Sequence, residues 1–169
     1  MAFLLLRLTA PLQAWGTRSR FEYRDTEREP SFSGITGILA AALGRDRGTD
    51  LSDLRALRMT IRADHEGEVS RDYQTAQGVL KADGSRSPED TQIVYRDYLA
   101  DAEFHVALEG DDELLAQLLA ALKSPRYPVF LGRKSYVPAA PIVYPGDESL
   151  IEGYDPLGFL TAHFPVREL

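Results

Sequence analysis

The segment densest in potential chemistry is TAPLQAWGTRSR, residues 9–20. It holds the only tryptophan of the chain, Trp15, then Gly16, Arg18 and Arg20, with no carboxylate before Glu22. An aromatic face beside guanidinium groups suits single-stranded nucleic acid, because bases stack on the ring while cations hold phosphates. A lone Trp behind an apolar strand also suits a core or hinge position, and local sequence alone does not separate the two. A second segment, FLGRKSY at 130–136, sets Gly132 ahead of Arg133, Lys134 and a serine. Glycine, two cations and a hydroxyl just after a strand can bring backbone N–H groups and charge to one phosphate. The preceding KSPRY adds Arg126. A third stretch interleaves Arg71, Tyr73, Tyr95, Arg96 and Tyr98, which fits either a nucleic-acid face or a solvated hairpin.

Catalysis has weaker support. His65, His105 and His163 show no metal-ligand spacing, and there is no P-loop or GxGxxG. His105 alternates with apolar residues in AEFHVALE and is expected on the outer face of its strand. HEGE, at 65–68, reads as solvated charge at the mouth of a hairpin. The absence of cysteine removes disulfides, thiolate zinc sites and thiol nucleophiles. No catalytic residue, metal or cofactor is therefore assigned.

The chain has 169 residues, 44% hydrophobic and 27% charged, the composition of a globular protein with one core or two small packed halves. A net charge of −7 argues against a nucleic-acid partner, but the distribution argues back. Residues 1–21 carry Arg7, Arg18 and Arg20, and residues 123–146 carry Lys123, Arg126, Arg133 and Lys134, with no acid in either. Two such segments could meet on one face of an acidic body. The opening run Ala2–Leu6 is short and broken by Arg7, which predicts a strand rather than a leader and hence a cytoplasmic protein without membrane contact.

Positioning these residues requires a scaffold. AFLLLRLT predicts a first strand. PSFSGITGILAAALG predicts a helix, with Ser33 as N-cap, Ile35, Ile38, Leu39 and Ala42 at helical spacing and Gly44 as its end. DLSDLRALR predicts a short second helix and MTIRAD a strand. Residues 66–99 are polar, with turn signals at Gly84 and Ser87-Pro88 between two Tyr/Val/Thr-rich arms, which predicts a protruding hairpin with little core. AEFHVALE is then a strand, DDELLAQLLAALK a helix with acids in its first turn and Lys123 in its last, and YPVFL a closing strand. The order is β-α-β-β-α-β: an α+β, ferredoxin-like (RRM-like) domain over residues 1–146 with a long hairpin insertion at about 66–99, followed by a short C-terminal extension, 147–169.

Four pieces in order, RLTAPLQAWG, PSFSGITGILAAALG, RDYQTAQGVL…YRDYLADAEFHVAL and SPRYPVFLGRKS, resemble the CRISPR Cas-five family of the RAMP superfamily, in its type I-E branch. The resemblance covers residues 3 to about 143. It implies a non-catalytic subunit of a Cascade surveillance complex in antiviral defence that caps the 5′ handle of the guide RNA, with a hairpin "thumb" against the guide and the first backbone subunit. Its implied partners are the guide RNA, the backbone and large subunits and, indirectly, target DNA. Matched to the motifs, Trp15, Gly16, Ser33, Gly132, Arg133 and Lys134 fall on the handle side, and Tyr73, Thr75 and Tyr98 on the thumb. With their basic neighbours Arg18, Arg20 and Arg126 the handle-side residues make up the expected RNA-contacting set, with Arg133 and Lys134 on phosphates and Trp15 and Arg18 near a base; the thumb residues, with Arg71, are expected to contact RNA or the neighbouring subunit. Type I-C relatives are metal-independent endoribonucleases using Tyr, Lys and His. That is the alternative activity, disfavoured because none of the three lysines has a histidine close in sequence. The family's tail is usually longer than the one here, which suggests natural reduction or truncation.

Overall fold

The computed structural model describes residues 2–146, 148–153 and 155–164. Twelve elements follow one another: β1 (Ala2–Thr9), β2 (Leu12–Gln13), β3 (Tyr23–Arg24), α1 (Phe32–Leu43), α2 (Ser52–Arg55), β4 (Arg58–His65), β5 (Glu68–Gln77), β6 (Thr91–Ala100), β7 (Glu103–Glu109), α3 (Asp112–Lys123), β8 (Leu150–Glu152) and α4 (Pro156–His163). The molecule is a mixed α+β fold, and its main sheet has the order β4-β7-β1-β8 with every pair antiparallel.

The alternation read in the sequence sets the two faces of this sheet. Leu4, Leu6 and Leu8 of β1 and Phe104, Val106 and Leu108 of β7 are buried in one cluster with Ile35, Ile38 and Leu39 of α1 and Leu115, Leu118, Leu119 and Leu122 of α3. Helix α3 begins at Asp111, whose carboxylate accepts the Leu114 N–H at 3.0 Å. The opposite face carries Arg7, His105 and Arg62, aligned in register across β1, β7 and β4. This is the outer face expected for His105, but it is not open to solvent. Tyr144 and Phe164 cover it, and His105 is only 8% exposed.

Two further expectations are corrected. The N-cap of α1 is Ser31, not Ser33: its Oγ accepts the Gly34 N–H at 3.2 Å, while Ser33 lies inside the first turn. The closing strand expected at YPVFL is absent. Pro128 removes one donor within it, and Leu131 bonds instead to Tyr136 and Ala14. The fourth strand of the sheet is β8, from within the segment expected to be an extension, paired with β1 through Ala2↔Glu152 and Leu4↔Leu150. Residues 147, 154 and 165–169 of that segment lie outside the described residues.

The hairpin expected at 66–99 consists of β5 and β6, paired over ten residues from Glu68↔Ala100 to Gln77↔Thr91. Strands β2 and β3 both pair with β6, so the hairpin root is tied into the segment that leaves β1. No helix among the described residues is long and apolar enough to cross a membrane.

Candidate nucleic-acid interface

Trp15 is 1% exposed and lies in the core. Its indole N–H donates to Gln13 Oε1 at 3.2 Å, and its backbone N–H donates to Thr26 Oγ1 at 2.9 Å. Gln13, itself wholly buried, uses its amide to bridge the carbonyls of Leu8 (3.1 Å) and Ala102 (2.7 Å), which fixes the exit from β1. The ring packs beneath Gly34, where an added Cβ would meet Trp15 Cε3 at 2.9 Å. A ring so placed presents no face to a base; it supports the loop and the start of α1.

Above it lies a small cleft of about 190 Å³, lined by Ala14, Trp15, Gly16, Ser31, Ser33, Gly34 and Gly132. Three structural devices meet there. Helix α1 begins at the cleft, and with Ser31 capping Gly34 the N–H groups of Phe32 and Ser33 have no acceptor within the helix. Gly16 sits where a Cβ would come 2.7 Å from the Asp25 carbonyl. Gly132 adopts φ +102, and a Cβ there would fall 1.8 Å from the Ala14 carbonyl oxygen, so only glycine lets the 131–136 loop reach this close. That loop is closed by Leu131 N–H to Tyr136 O (2.9 Å) and Tyr136 N–H to Arg133 O (2.8 Å), and docked by Ala14 N–H to Leu131 O (3.0 Å).

The expected site residues divide accordingly. Trp15, Gly16, Ser33 and Gly132 share the cleft. Arg133 does not project from it as a phosphate ligand. Its guanidinium donates to the Tyr136 hydroxyl (2.8 Å), the Asp97 carbonyl (2.8 Å) and the Arg24 carbonyl (3.3 Å), and lies over the Tyr136 ring. Lys134 is exposed beside it. Arg126 is far from the cleft: its backbone N–H bonds to Ala42 O and its side chain lies against Gly44, at the other end of the helix, about 18 Å away at the helical rise. Arg18 and Arg20 are exposed, but the acid-free character of their segment does not survive folding. Glu27 pairs with Arg18 at 3.3 Å, and Asp25 accepts the Arg18 N–H and the Ser19 hydroxyl. On the hairpin, register places Arg71, Tyr73 and Thr75 on one face and Tyr98 on the other, 6.3 Å from Tyr136.

Phe21 and Tyr23 are not among the expected site residues, and Tyr95 figures only as part of the hairpin stretch. Parallel pairing of β3 with β6 sets Tyr23 against Tyr95, rings 5.0 Å apart and 13° from coplanar, with Tyr73 edge-on to Tyr95 at 5.5 Å. Arg71 is held by Asp97 through two bonds of 2.6 and 3.0 Å, and that hydrogen bonding holds the Asp97 carboxyl below its ordinary pKa. Tyrosine spacing hinted at this group, but the β3–β6 contact could not be read from either strand alone.

A second polar cluster lies on the other side of the sheet, in a cavity of about 680 Å³. His105 sets Nδ1 against Asp64 and Nε2 2.8 Å from the Tyr144 hydroxyl. Arg62 pairs with Asp64 and donates to the Leu160 carbonyl, and Arg7 lies 4.6 Å from the Tyr144 ring centre. Burial pushes the Tyr144 phenol above its ordinary pKa. Among the described residues no group of three or more His, Asp or Glu is arranged to hold a metal ion.

The model of the CRISPR-associated protein (Cas_Cas5) family matches residues 3–165. The chain is 34% identical over 180 residues to the CRISPR system Cascade subunit CasD of Escherichia coli (strain K12), covering 98% of this chain and 78% of CasD. A chain of a CRISPR RNA-guided surveillance complex superimposes with a TM-score of 0.78 at 39% identity, over 83% of this chain and 61% of the other. A Cas protein known from its crystal structure does so with a TM-score of 0.71 at 46% identity, over 90% and 67%. From Phe3 to residue 165, the chain belongs to the CRISPR-associated Cas_Cas5 family.

Proposed function

We propose that the protein is a non-catalytic subunit of a Cascade-type, RNA-guided CRISPR surveillance complex, that it caps the 5′ handle of the guide RNA, and that it contacts the adjoining backbone subunit through its β5–β6 hairpin. One observation carries this reading: the cleft that joins the α1 N-terminus, the Gly16 turn and the glycine-pinched 131–136 loop beside the hairpin root. Outward N–H groups and the helix dipole favour a phosphate there, and exposed Lys134 adds charge. The ferredoxin-like description suits the body, since the sheet order and the two helices on one face follow that scheme with β8 as the last strand. Within it, Arg133 and Trp15 act as positioning residues, whereas Gly16, Ser33, Gly132 and Lys134 line the RNA path. Arg18 and Arg20 flank it, and Arg126 falls outside it. Target DNA and the large subunit are partners through the assembled complex.

The Asp64–His105–Tyr144 row favours a second reading, metal-independent RNA cleavage, because an oriented imidazole beside a phenol is an acid–base pair. The same geometry counts against it. Both ring nitrogens of His105 already have protein partners, and burial makes the phenol harder to ionise. Cleavage of a repeat-containing transcript in EDTA, abolished by His105→Ala, would establish the second reading. For the first, the handle should bind more tightly than a scrambled RNA of equal length, in a salt-dependent manner. Equal binding would remove the capping role.

A further inference from the structure

Phe21 is 91% exposed, the most exposed large hydrophobic residue described, and its φ is +46. A bulky side chain in the left-handed region costs roughly 1–3 kcal/mol, and such strain persists only where the surroundings impose it. Here they do. Arg20 and Tyr23 exchange backbone bonds of 3.0 and 2.9 Å, closing a turn with Phe21 and Glu22 at its centre, and the Glu22 carbonyl accepts the Tyr95 N–H at 2.8 Å. The turn is clamped to the hairpin, and its strained position holds a phenyl ring that is almost wholly exposed.

Next to it stands the Tyr23–Tyr95 stack, with Tyr73 edge-on and the Arg71 guanidinium 6.0 Å from the centres of both stacked rings. Tyr23 and Tyr73 are 55% and 59% exposed, so the outer surface of the stack is open. Exposed Arg20 and Arg24 flank the turn, with Glu22 the exposed carboxylate between them. Nearly coplanar rings held rigidly, with guanidinium groups at their edges, suit a stacked, unpaired base; tyrosine and arginine also occur at protein interfaces, and the test below separates the two.

We propose that Phe21, Tyr23, Tyr95 and Tyr73 form a stacking platform for one or two unpaired bases of single-stranded RNA, with Arg71 fixing the ring geometry. This extends the RNA-binding reading above and rests on it. It names the surface that takes bases, now that Trp15 is buried, and leaves the phosphates to the cleft and Lys134.

The test uses the full chain and handle RNA carrying 2-aminopurine at one position at a time. Fluorescence quenching on binding is expected at one or two positions. Tyr23→Ala should abolish it and weaken binding roughly 5- to 150-fold with an unchanged salt slope, while Tyr23→Phe retains both. Phe21→Gly should also weaken binding while raising the melting temperature, because glycine relieves the positive φ. A Tyr23→Ala chain that binds like the parent, while Lys134→Ala binds less well, overturns the platform and leaves the capping role intact. If Tyr23→Ala spares RNA binding but blocks entry into the reconstituted complex, the patch is a subunit contact and the platform is again overturned. Quenching that survives equally on scrambled RNA keeps the platform and removes specific capping. No quenching with any single-stranded RNA removes the platform.

Discussion

Arg133 donates to the backbone carbonyl of Asp97 at 2.8 Å, and through that bond the 131–136 loop is fastened to the root of the hairpin. The Asp97 carboxylate is engaged on the other side by Arg71. One hairpin residue thus links the basic loop and the aromatic surface.

Replacing Arg133 should therefore loosen the hairpin rather than subtract a phosphate contact. In Arg133→Ala, amide exchange across residues 93–98 is expected to accelerate, while the salt slope of RNA binding stays within experimental scatter. Lys134→Ala is expected to do the reverse: an unchanged exchange pattern and a slope lowered by about 1.

Trp15 is a ready reporter of its own burial. Its emission should be blue-shifted and poorly quenched by acrylamide, and saturating RNA should leave it nearly unaltered. Strong quenching of Trp15 by RNA would show instead that a base reaches the ring. Trp15→Ala removes a fully buried indole and should cost roughly 3–5 kcal/mol in urea unfolding.

Gly132→Ala introduces both a collision with Ala14 and an unfavourable φ. Strain alone is worth roughly 1–3 kcal/mol, so the urea midpoint should drop. RNA affinity should fall more than it does for Gly48→Ala, where φ is also positive (+91) but a Cβ meets open space, so that the collision with Ala14 is the difference between the two.

Arg45 and Asp53 form a two-bond pair of 2.7 and 2.5 Å that ties the end of α1 to α2. The hydrogen bonds from Arg45 hold the Asp53 carboxyl down from 3.8 to about 2. A carboxyl depressed in the folded state binds its proton more weakly there than in the unfolded chain. Its stabilising effect is therefore complete above pH 4 and lost as pH falls through about 2. The melting-temperature gap between the parent and Asp53→Asn should be present at pH 6 and shrink steadily below pH 4.

How far the sequence could be read follows from what each element depends on. The helix stripe at Leu115, Leu118, Leu119 and Leu122, the alternation in β7 and the hairpin arms are local patterns, and they fold as their spacing dictates. The last strand was misplaced because YPVFL has strand-like composition, whereas Pro128 and the pinch at Gly132 divert it. The short LIE segment pairs with β1 although nothing within it signals a strand. Trp15, Arg18 and Arg133 were legible as a cluster of residue types but not in their roles. Whether a ring is buried, or a guanidinium already occupied by carbonyls, depends on partners such as Gln13, Glu27 and Asp97 that only the fold brings near.

The close approach of Gly132 to Ala14 joins the beginning of the chain to a segment far along it. During synthesis the first strand and the tryptophan loop leave the ribosome long before their glycine partner exists. The cleft therefore closes late, after α3 has been made, and a half-made chain lacks the phosphate pocket even though its aromatic surface is already complete. On the proposed reading, the phosphate grip on the handle belongs to a chain whose 131–136 loop is already made, so that synthesis of the loop precedes it.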